Sequence, residues 1–275
     1  MEDSLKQLSL RGKLIEAENR PFVMGILNIT PDSFSDGGLH MAYDDAMYAC
    51  EKMVKEGADI IDVGGESTRP SGTPISADEE LQRIFKISEQ LIKSFDTMFS
   101  IDTYKAVTAS EMLKLGFHIV NDVTALHGDE QMAATVAEYG DAGLVLMRNG
   151  KFYSDNEGFI PSAAKFLEES MKIALASGID RKNLIIDPGI GFDTDREQDM
   201  KLIGATSEFK NSFNLPYLFA ASRKRVTAYI NGGNADNETL DGITAELNMK
   251  AYLSGADIVR THNVLKTYER FTFER

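Results

Sequence analysis

Five short apolar runs in this sequence each end at or near a polar residue, and this pattern limits the fold more than any other feature. The polar residues are Asn28, Asp62, Asp102, Asn121 and Asp187. Apolar runs of this length are typical of buried strands, and the proline and two glycines that follow Asp187 indicate that the last run stops there. In a barrel of parallel strands the carboxyl ends all meet at one rim. We therefore expect these polar side chains to converge on a common site.

Strand-like and helix-like segments alternate along the chain. The predicted strands are 21–29, 58–63, 98–102, 117–123, 143–147, 183–187, 216–221 and 257–260. The predicted helices are 44–56, 78–94, 104–115, 129–139, 161–177, 195–213, 242–254 and 264–270. This alternation predicts an α/β fold: a single-domain (β/α)8 TIM barrel at residues 21–275, preceded by an N-terminal extension at residues 1–20. A doubly wound open sheet is the alternative, and the lack of a Gly-x-Gly-x-x-Gly motif after the first strand weakens it.

The composition indicates a cytoplasmic protein. Hydrophobic residues make up 43% of the 275 residues, which suffices for a large core. The 29 Lys and Arg are outnumbered by 43 Asp and Glu, and the net charge of -14 argues against a general nucleic-acid or anionic-membrane surface. The single cysteine, Cys50, cannot form an internal disulfide. The first residues lack an apolar signal segment, and no run is long enough to span a bilayer.

The polar groups of the expected rim fall into two chemical classes. Two buried carboxylates are costly unless a group with several N–H donors lies between them, and the amino-pyrimidine edge of a flat heterocycle is such a group. The last strand would present two cations on one face, so that both can point at one anion. The alternative is that the aspartates cap the following helices and the cations are surface residues. The acceptors are Asn28, Asp102, Asn121 and Asp187, and the cations or potential cations are Arg69, Lys224, Arg260 and His262.

A metal site built from histidines is not indicated. The four histidines show no zinc-ligand spacing. Mg²⁺ takes few protein ligands, so an ion held by Asn28 and by phosphate oxygens of a substrate is compatible with the sequence. Ser222 has no base at a catalytic spacing, which indicates a hydrogen-bond donor rather than a nucleophile.

Seven segments resemble, in chain order, the motifs of the dihydropteroate synthases. The two longest are MGILNITPDSFSDGG at 24–38 and IDVGGESTRP at 61–70. Shorter matches lie at 100–104, 120–123, 187–192, 222–224 and 260–262. The resemblance implies a TIM barrel that joins 4-aminobenzoate to 6-hydroxymethyl-7,8-dihydropterin diphosphate. Diphosphate is released, and the product is 7,8-dihydropteroate for folate biosynthesis.

The resemblance also implies roles for individual residues. The pterin is expected to contact Asp102, Asn121, Met147, Asp187, Phe192 and Lys224, and the 4-aminobenzoate pocket to be formed by Phe34, Pro70, Phe192 and Ser222. The diphosphate is expected at Asn28, Thr68, Arg69, Arg260 and His262, with Asn28 also holding Mg²⁺ as the cofactor. The catalytic set is then Asp102, Asp187, Lys224, Arg260 and His262. A cytoplasmic homodimer that takes only small-molecule substrates, without nucleic-acid or membrane partners, and that is a sulfonamide target also follows from the resemblance.

Four positions depart from the family pattern. Ser71 stands where glycine is usual, and Met147-Arg148 replace the His-Met pattern that is usual after the fifth strand. Arg225 stands where serine is common, and Asn263 where aspartate is common. These changes lie near the two substrate pockets, so we expect them to affect affinity and inhibitor response more than the reaction.

Two other functions compete with this interpretation. One is a pterin-binding methyltransferase that passes a methyl group from a folate to a corrinoid protein, which has no need of Arg69, Lys224, Arg260 and His262 together. The other is a non-catalytic pterin-binding paralogue, which Ser71 and Arg225 would motivate.

Overall fold

A hairpin and eight parallel strands form the sheets of the computed structural model, which describes residues 5–30, 38–66 and 73–272. The hairpin consists of β1 (Gln7–Leu10) and β2 (Lys13–Glu16). The parallel strands are β3 (Phe22–Asn28), β4 (Ile60–Gly64), β5 (Met98–Asp102), β6 (Ile119–Asp122), β7 (Gly143–Met147), β8 (Leu184–Asp187), β9 (Leu218–Phe219) and β10 (Ile258–Thr261). The α-helices are α1 (Gly38–Lys55), α2 (Ala77–Ser94), α3 (Ala106–Leu115), α4 (Met132–Ala137), α5 (Phe159–Ala176), α6 (Arg196–Gly204), α7 (Thr206–Phe213), α8 (Arg225–Ile230), α9 (Asn237–Leu253) and α10 (Val264–Thr272).

The parallel strands close into a barrel. Their hydrogen-bonded order is β8-β7-β6-β5-β4-β3-β10-β9. A parallel bridge between Ile186 in β8 and Tyr217, directly before β9, joins the two ends of this order. The predicted TIM barrel is therefore confirmed, and the open doubly wound sheet is wrong.

Side chains of the strands alternate between two cores. Outward-facing residues such as Val23 and Phe99 pack against the helices. Inward-facing residues form a second cluster with Leu8, Leu10 and Ala17 of the N-terminal segment. The hairpin thus seals the amino-terminal end of the barrel with apolar side chains, which leaves the carboxyl-terminal end for polar groups. The inward-facing strand residues of this cluster are Phe22, Met24, Ile60, Met98, Ile119, Val145, Ile185, Leu218 and Ile258, and Ala220, just after β9, joins them.

The structure corrects several predicted boundaries. The helix predicted at 195–213 is two helices, α6 and α7, that meet at Ala205. The strand predicted at 216–221 retains regular pairing only at Leu218–Phe219, because the chain there closes the ring through a single bridge. The helix predicted at 129–139 shortens to Met132–Ala137, since Asp129 forms a turn with Gln131 instead. The hairpin and α8 were not predicted at all.

Residues 5–20 of the predicted N-terminal extension, the part that the structure describes, contact the barrel closely. The backbone N–H of Leu5 donates to Asp257 Oδ1 at 2.9 Å, and Arg11 Nη1 donates to the carbonyl of Leu113 at 2.6 Å. Arg20 forms a two-point ion pair with Asp59. These contacts fix the hairpin below the barrel, whereas the division at residue 20 stays a prediction. No helix in the described ranges combines the length and apolar character needed to cross a membrane.

Candidate active site at the carboxyl ends of the barrel strands

An arginine and two aspartates from three strands form the centre of the rim. Arg260 Nε donates to Asp62 Oδ2 at 2.6 Å, and Arg260 Nη2 donates to Asp102 Oδ2 at 2.7 Å. Asp62 is fully buried and Asp102 is 4% exposed. Burial opposes the charge of Arg260, but the two carboxylates outweigh burial and raise the pKa of Arg260 above its usual value. The guanidinium therefore stays charged and holds both acids inside the barrel mouth.

Asp102 combines a raised pKa with a carboxylate oxygen that has no hydrogen-bond partner. Burial raises its pKa to about 7, and Asp62 and Glu80 add to the rise against the opposing charges of Arg260 and Lys224. Its Oδ1 is buried without a hydrogen-bond partner, as is Oδ1 of neighbouring Asn121. Buried polar atoms are normally paired, so two such oxygens on adjacent strands fit a ligand with N–H donors. Asn121 itself is fixed by donating from Nδ2 to Asp62 Oδ2 at 3.0 Å.

Asp187 and Lys224 form the opposite side of the mouth. Asp187 Oδ1 accepts from the backbone N–H of Gly189 at 2.7 Å. Burial raises the pKa of Asp187, although Lys224 opposes the rise. Burial lowers the pKa of Lys224 to about 8 against the charge of Asp187. Lys224 Nζ donates to the carbonyl of Ile190 at 2.7 Å and lies 4.8 Å from the centre of the Phe192 ring. The two predicted pterin contacts thus influence each other, as expected of one site.

The helix-capping alternative is wrong for both aspartates. The N-cap of α3 is Lys105, and the N-cap of α6 is Asp195, which forms a capping box with Gln198. Neither Asp102 nor Asp187 occupies these positions.

Ser222 and His262 form a second polar pair at the rim. Ser222 Oγ and His262 Nδ1 are 2.9 Å apart, and the backbone N–H of His262 donates to Ser222 Oγ at 3.1 Å. Ser222 is 5% exposed. The serine thus orients the imidazole and is the hydrogen-bonding residue that the sequence predicts. The fold nevertheless places it beside a base, His262, which its sequence spacing did not reveal.

The remaining predicted residues divide between described and undescribed parts of the chain. Met147 is 2% exposed at the end of β7, and Asn28 lies at the end of β3, opposite Gly64 in the sheet register. Phe34, Thr68, Arg69 and Pro70 lie outside the described residues, as does Ser71.

Asn28 suits a metal that needs few protein ligands. A Cβ added to Gly64 would lie 3.5 Å from Asn28 Oδ1 and 3.6 Å from Asp102 Cβ, so the amide oxygen lies near the acids of the mouth. No cluster of three or more His, Cys, Asp or Glu suited to a metal occurs in the described ranges. The Mg²⁺ expected at Asn28, bound mainly through substrate oxygens, stays a prediction.

Two features of the site were missed in the roles assigned from the sequence. Asp62 holds both Arg260 and Asn121, and its inward position follows from its register opposite Ser100 in β5. Behind Asp102, Lys105 bridges Glu66 and fully buried Glu80, and its Nζ lies 3.1 Å from Glu80 Oε2. The position of Asp62 in an apolar run is a usable signal. The Glu80–Lys105 pair has no local signal, because it joins residues 25 positions apart.

Comparisons with known proteins agree with this geometry. The model of the family described as "Pterin binding enzyme" matches residues 24–262. A dihydropteroate synthase of Streptococcus pyogenes is 41% identical over 256 residues, covering 92% of this chain and 94% of the relative. A crystal structure of the Xanthomonas albilineans dihydropteroate synthase with 4-aminobenzoic acid has a TM-score of 0.90 and 32% identity, covering 97% of this chain and 96% of that one. The same enzyme in complex with 7,8-dihydropteroate has a TM-score of 0.86 and 30% identity, with 97% and 96% covered. The resemblance seen in the motifs is thereby confirmed: the chain belongs to the pterin-binding enzymes and, among them, to the dihydropteroate synthase family.

Proposed function

We propose that this protein condenses 6-hydroxymethyl-7,8-dihydropterin diphosphate with 4-aminobenzoate, giving 7,8-dihydropteroate and diphosphate. The observation that carries the proposal is the meeting of two buried acids, Asp102 and Asp187, with Lys224 and Arg260 in one barrel mouth. The relatives from Xanthomonas albilineans bind 4-aminobenzoic acid and 7,8-dihydropteroate. As a dihydropteroate synthase it is a transferase.

In this proposal the pterin lies between the two acids, Asp102 and Asp187. The unpartnered Oδ1 atoms of Asp102 and Asn121 are suited to accept from its amino-pyrimidine edge. Asp187 and Lys224 would bind the opposite edge of the ring. Met147 and Phe192 would line the two faces, since a flat ring is held best between apolar side chains.

The diphosphate is placed at the cationic side. Arg260 uses Nε and Nη2 for the two aspartates, and neither bond uses Nη1. His262, oriented by Ser222, supplies a second donor. Thr68 and Arg69 complete this set in the proposal. Asn28 would hold Mg²⁺, and a bound Mg²⁺ neutralises charge that develops on the leaving diphosphate.

The second substrate is placed beside Phe192. Together with Phe34, Pro70 and Ser222, its ring would form the pocket for 4-aminobenzoate, where sulfonamides would compete. The arylamine is neutral near pH 7, so it needs orientation more than a strong base.

The reaction is proposed to be a dissociative substitution. The bond between the methylene carbon and the diphosphate oxygen breaks first, and the electron pair leaves with diphosphate. The pterin ring spreads the resulting positive charge toward nitrogens that face Asp102 and Asp187. Fixed carboxylates stabilise this cation more than the neutral ring of the ground state, which lowers the barrier. The amine nitrogen then bonds to the carbon and loses a proton to solvent.

The test is incubation of the purified protein with both substrates and Mg²⁺. Dihydropteroate and diphosphate should form in equal amounts, and addition of a chelator should slow both. Pterin binding without either product would contradict the proposed reaction, and unchanged turnover in excess chelator would contradict the metal. Methyl transfer to a corrinoid protein in place of diphosphate release would favour the methyltransferase. We also propose that the protein is a cytoplasmic homodimer. Sedimentation of the purified protein would test whether it is a dimer.

A further inference from the structure

Arg148, directly after β7, is a buried cation that the proposed reaction does not use. Only 1% of this residue is exposed. Its guanidinium donates to uncharged oxygens: Nε to the Tyr153 hydroxyl at 2.7 Å, and Nη1 to the carbonyls of Phe192 at 2.9 Å and Gly189 at 3.4 Å. The rings of Tyr153 and Phe159 each lie with their centres 5.2 Å from its Cζ. Burying a charge is costly unless hydrogen bonds and aromatic rings compensate for the lost water, and Arg148 has both.

The carbonyls that Arg148 binds belong to the loop that carries Phe192. Lys224 Nζ donates a hydrogen bond to the carbonyl of Ile190 in the same loop at 2.7 Å. The backbone N–H of Gly191 donates to Asp199 Oδ1, also at 2.7 Å. The loop from Gly189 to Phe192 is therefore held by Arg148 through two carbonyls, by Lys224 through a third, and by Asp199 through a backbone N–H.

Close packing around Arg148 supports a dedicated fit. A Cβ on Gly189, whose φ is +71°, would lie 1.8 Å from the carbonyl oxygen of Arg148. A Cβ on Gly150 would lie 2.7 Å from Arg148 Nη2. Gly189 thus lets the loop approach the main chain of residue 148, and Gly150 leaves room for the Arg148 guanidinium.

We propose that Arg148 is a positioning residue that sets the affinity for 4-aminobenzoate by fixing the Phe192 loop, and this inference rests on the proposed function. The loop also carries two expected pterin contacts, the Phe192 ring and the Gly189 N–H that holds Asp187. Asp102, Asn121 and Met147 come from other strands, however, and hold the pterin without the loop. Loosening the loop should therefore affect the arylamine more than the pterin. An ordered loop spares the substrate the entropy cost of immobilising the Phe192 side chain when it binds.

The test compares Arg148→Met with Lys151→Met in the full-length enzyme. Methionine keeps the length of the side chain but removes the charge and the donors. Lys151 is exposed in the same segment, so its variant removes a charge of the same sign without touching the loop. Initial rates of diphosphate release are measured against 4-aminobenzoate and, separately, against the pterin diphosphate.

Arg148→Met should raise KM for 4-aminobenzoate about tenfold, while KM for the pterin diphosphate should rise less, by about threefold at most, because Asp102, Asn121 and Met147 still hold the pterin. Lys151→Met should match wild type. A merely structural role would reduce the active fraction and hence kcat, with KM unchanged, and that result would overturn the proposal. Equal rises in both KM values would also overturn it. If Arg148→Met does not fold, Tyr153→Phe removes one bond to the guanidinium and should raise the same KM about threefold, whereas an unchanged KM would overturn the inference. If wild type itself releases no diphosphate, the proposed function fails, independently of Arg148.

Discussion

Replacing Arg260 by methionine should destabilise the fold in a way that depends on pH. Arg260 bridges Asp62 and Asp102 at 2.6 and 2.7 Å, and the side chains of these acids are 0% and 5% exposed. Removing one partner of a buried ion pair costs about 3–5 kcal/mol, because a charge is left without compensation. Domains typically unfold at a cost of about 5–15 kcal/mol, so the variant is expected to remain folded.

The pH dependence follows from Asp102. Its pKa is raised to about 7 even while Arg260 opposes the rise, so removing Arg260 should raise this pKa further. The folded state then binds a proton more tightly than the unfolded chain, where an aspartate has a pKa of about 3.9. Protonation therefore favours the folded state, and the stabilising contribution is lost as the pH rises through the folded pKa. Each unit by which the pKa of Asp102 rises in the folded variant corresponds to about 1.4 kcal/mol. For a rise of about one unit, Arg260→Met should therefore lose about 1.4 kcal/mol less unfolding free energy at pH 6 than at pH 8.5.

Urea unfolding at these two pH values measures the effect. Lys93→Met is the matched control, because Lys93 pairs with Glu89 on the surface, where the two side chains are 62% and 47% exposed. Surface pairs contribute about 0–1 kcal/mol, and the control should lose no more than that at either pH. A loss below about 1 kcal/mol for Arg260→Met, or an equal loss at both pH values, would refute this account of the barrel mouth.

Three further predictions concern the rim and the hairpin. For wild type, kcat/KM should rise with pH through about 7 as Asp102 ionises and fall above about 8 as Lys224 loses its proton, and a flat profile from pH 6 to 9 would contradict both roles. Gly189→Ala should cut activity strongly, because its Cβ would lie 1.8 Å from the Arg148 carbonyl oxygen, and wild-type rates in this variant would show that the loop adapts. Leu10→Ala should lower the free energy of unfolding by about 2–5 kcal/mol, since Leu10 is 2% exposed below the barrel, and a loss under about 1 kcal/mol in chemical denaturation would contradict the sealing role of the hairpin.

The barrel was predictable because its strands are buried on both faces. Apolar runs such as residues 98–102 and 143–147 gave boundaries identical to those of β5 and β7. The strand at 216–221 was overestimated, because pairing at the closure of the ring depends on a partner strand and not on local sequence. The hairpin was missed because its two strands are only four residues each, too short for their alternation between more and less buried positions to stand out in the sequence.

The site was predictable where function requires residues at strand ends. Asp102 and Arg260 were assigned correctly to one rim, yet their direct bond joins residues 158 positions apart and has no local signal. Arg148 was recognised only as a departure from the family pattern. Its bonds to the Phe192 loop depend on the close approach at Gly189, which only the folded chain reveals.

The single-turnover rate of Asp102→Asn at saturating concentrations of both substrates tests the central claim, that fixed carboxylates stabilise a pterin cation. Saturation removes any effect on binding, and the amide keeps the shape of the side chain without its charge. Loss of one such electrostatic contact should slow dihydropteroate formation about 100- to 1000-fold. A rate close to that of wild type would contradict the account.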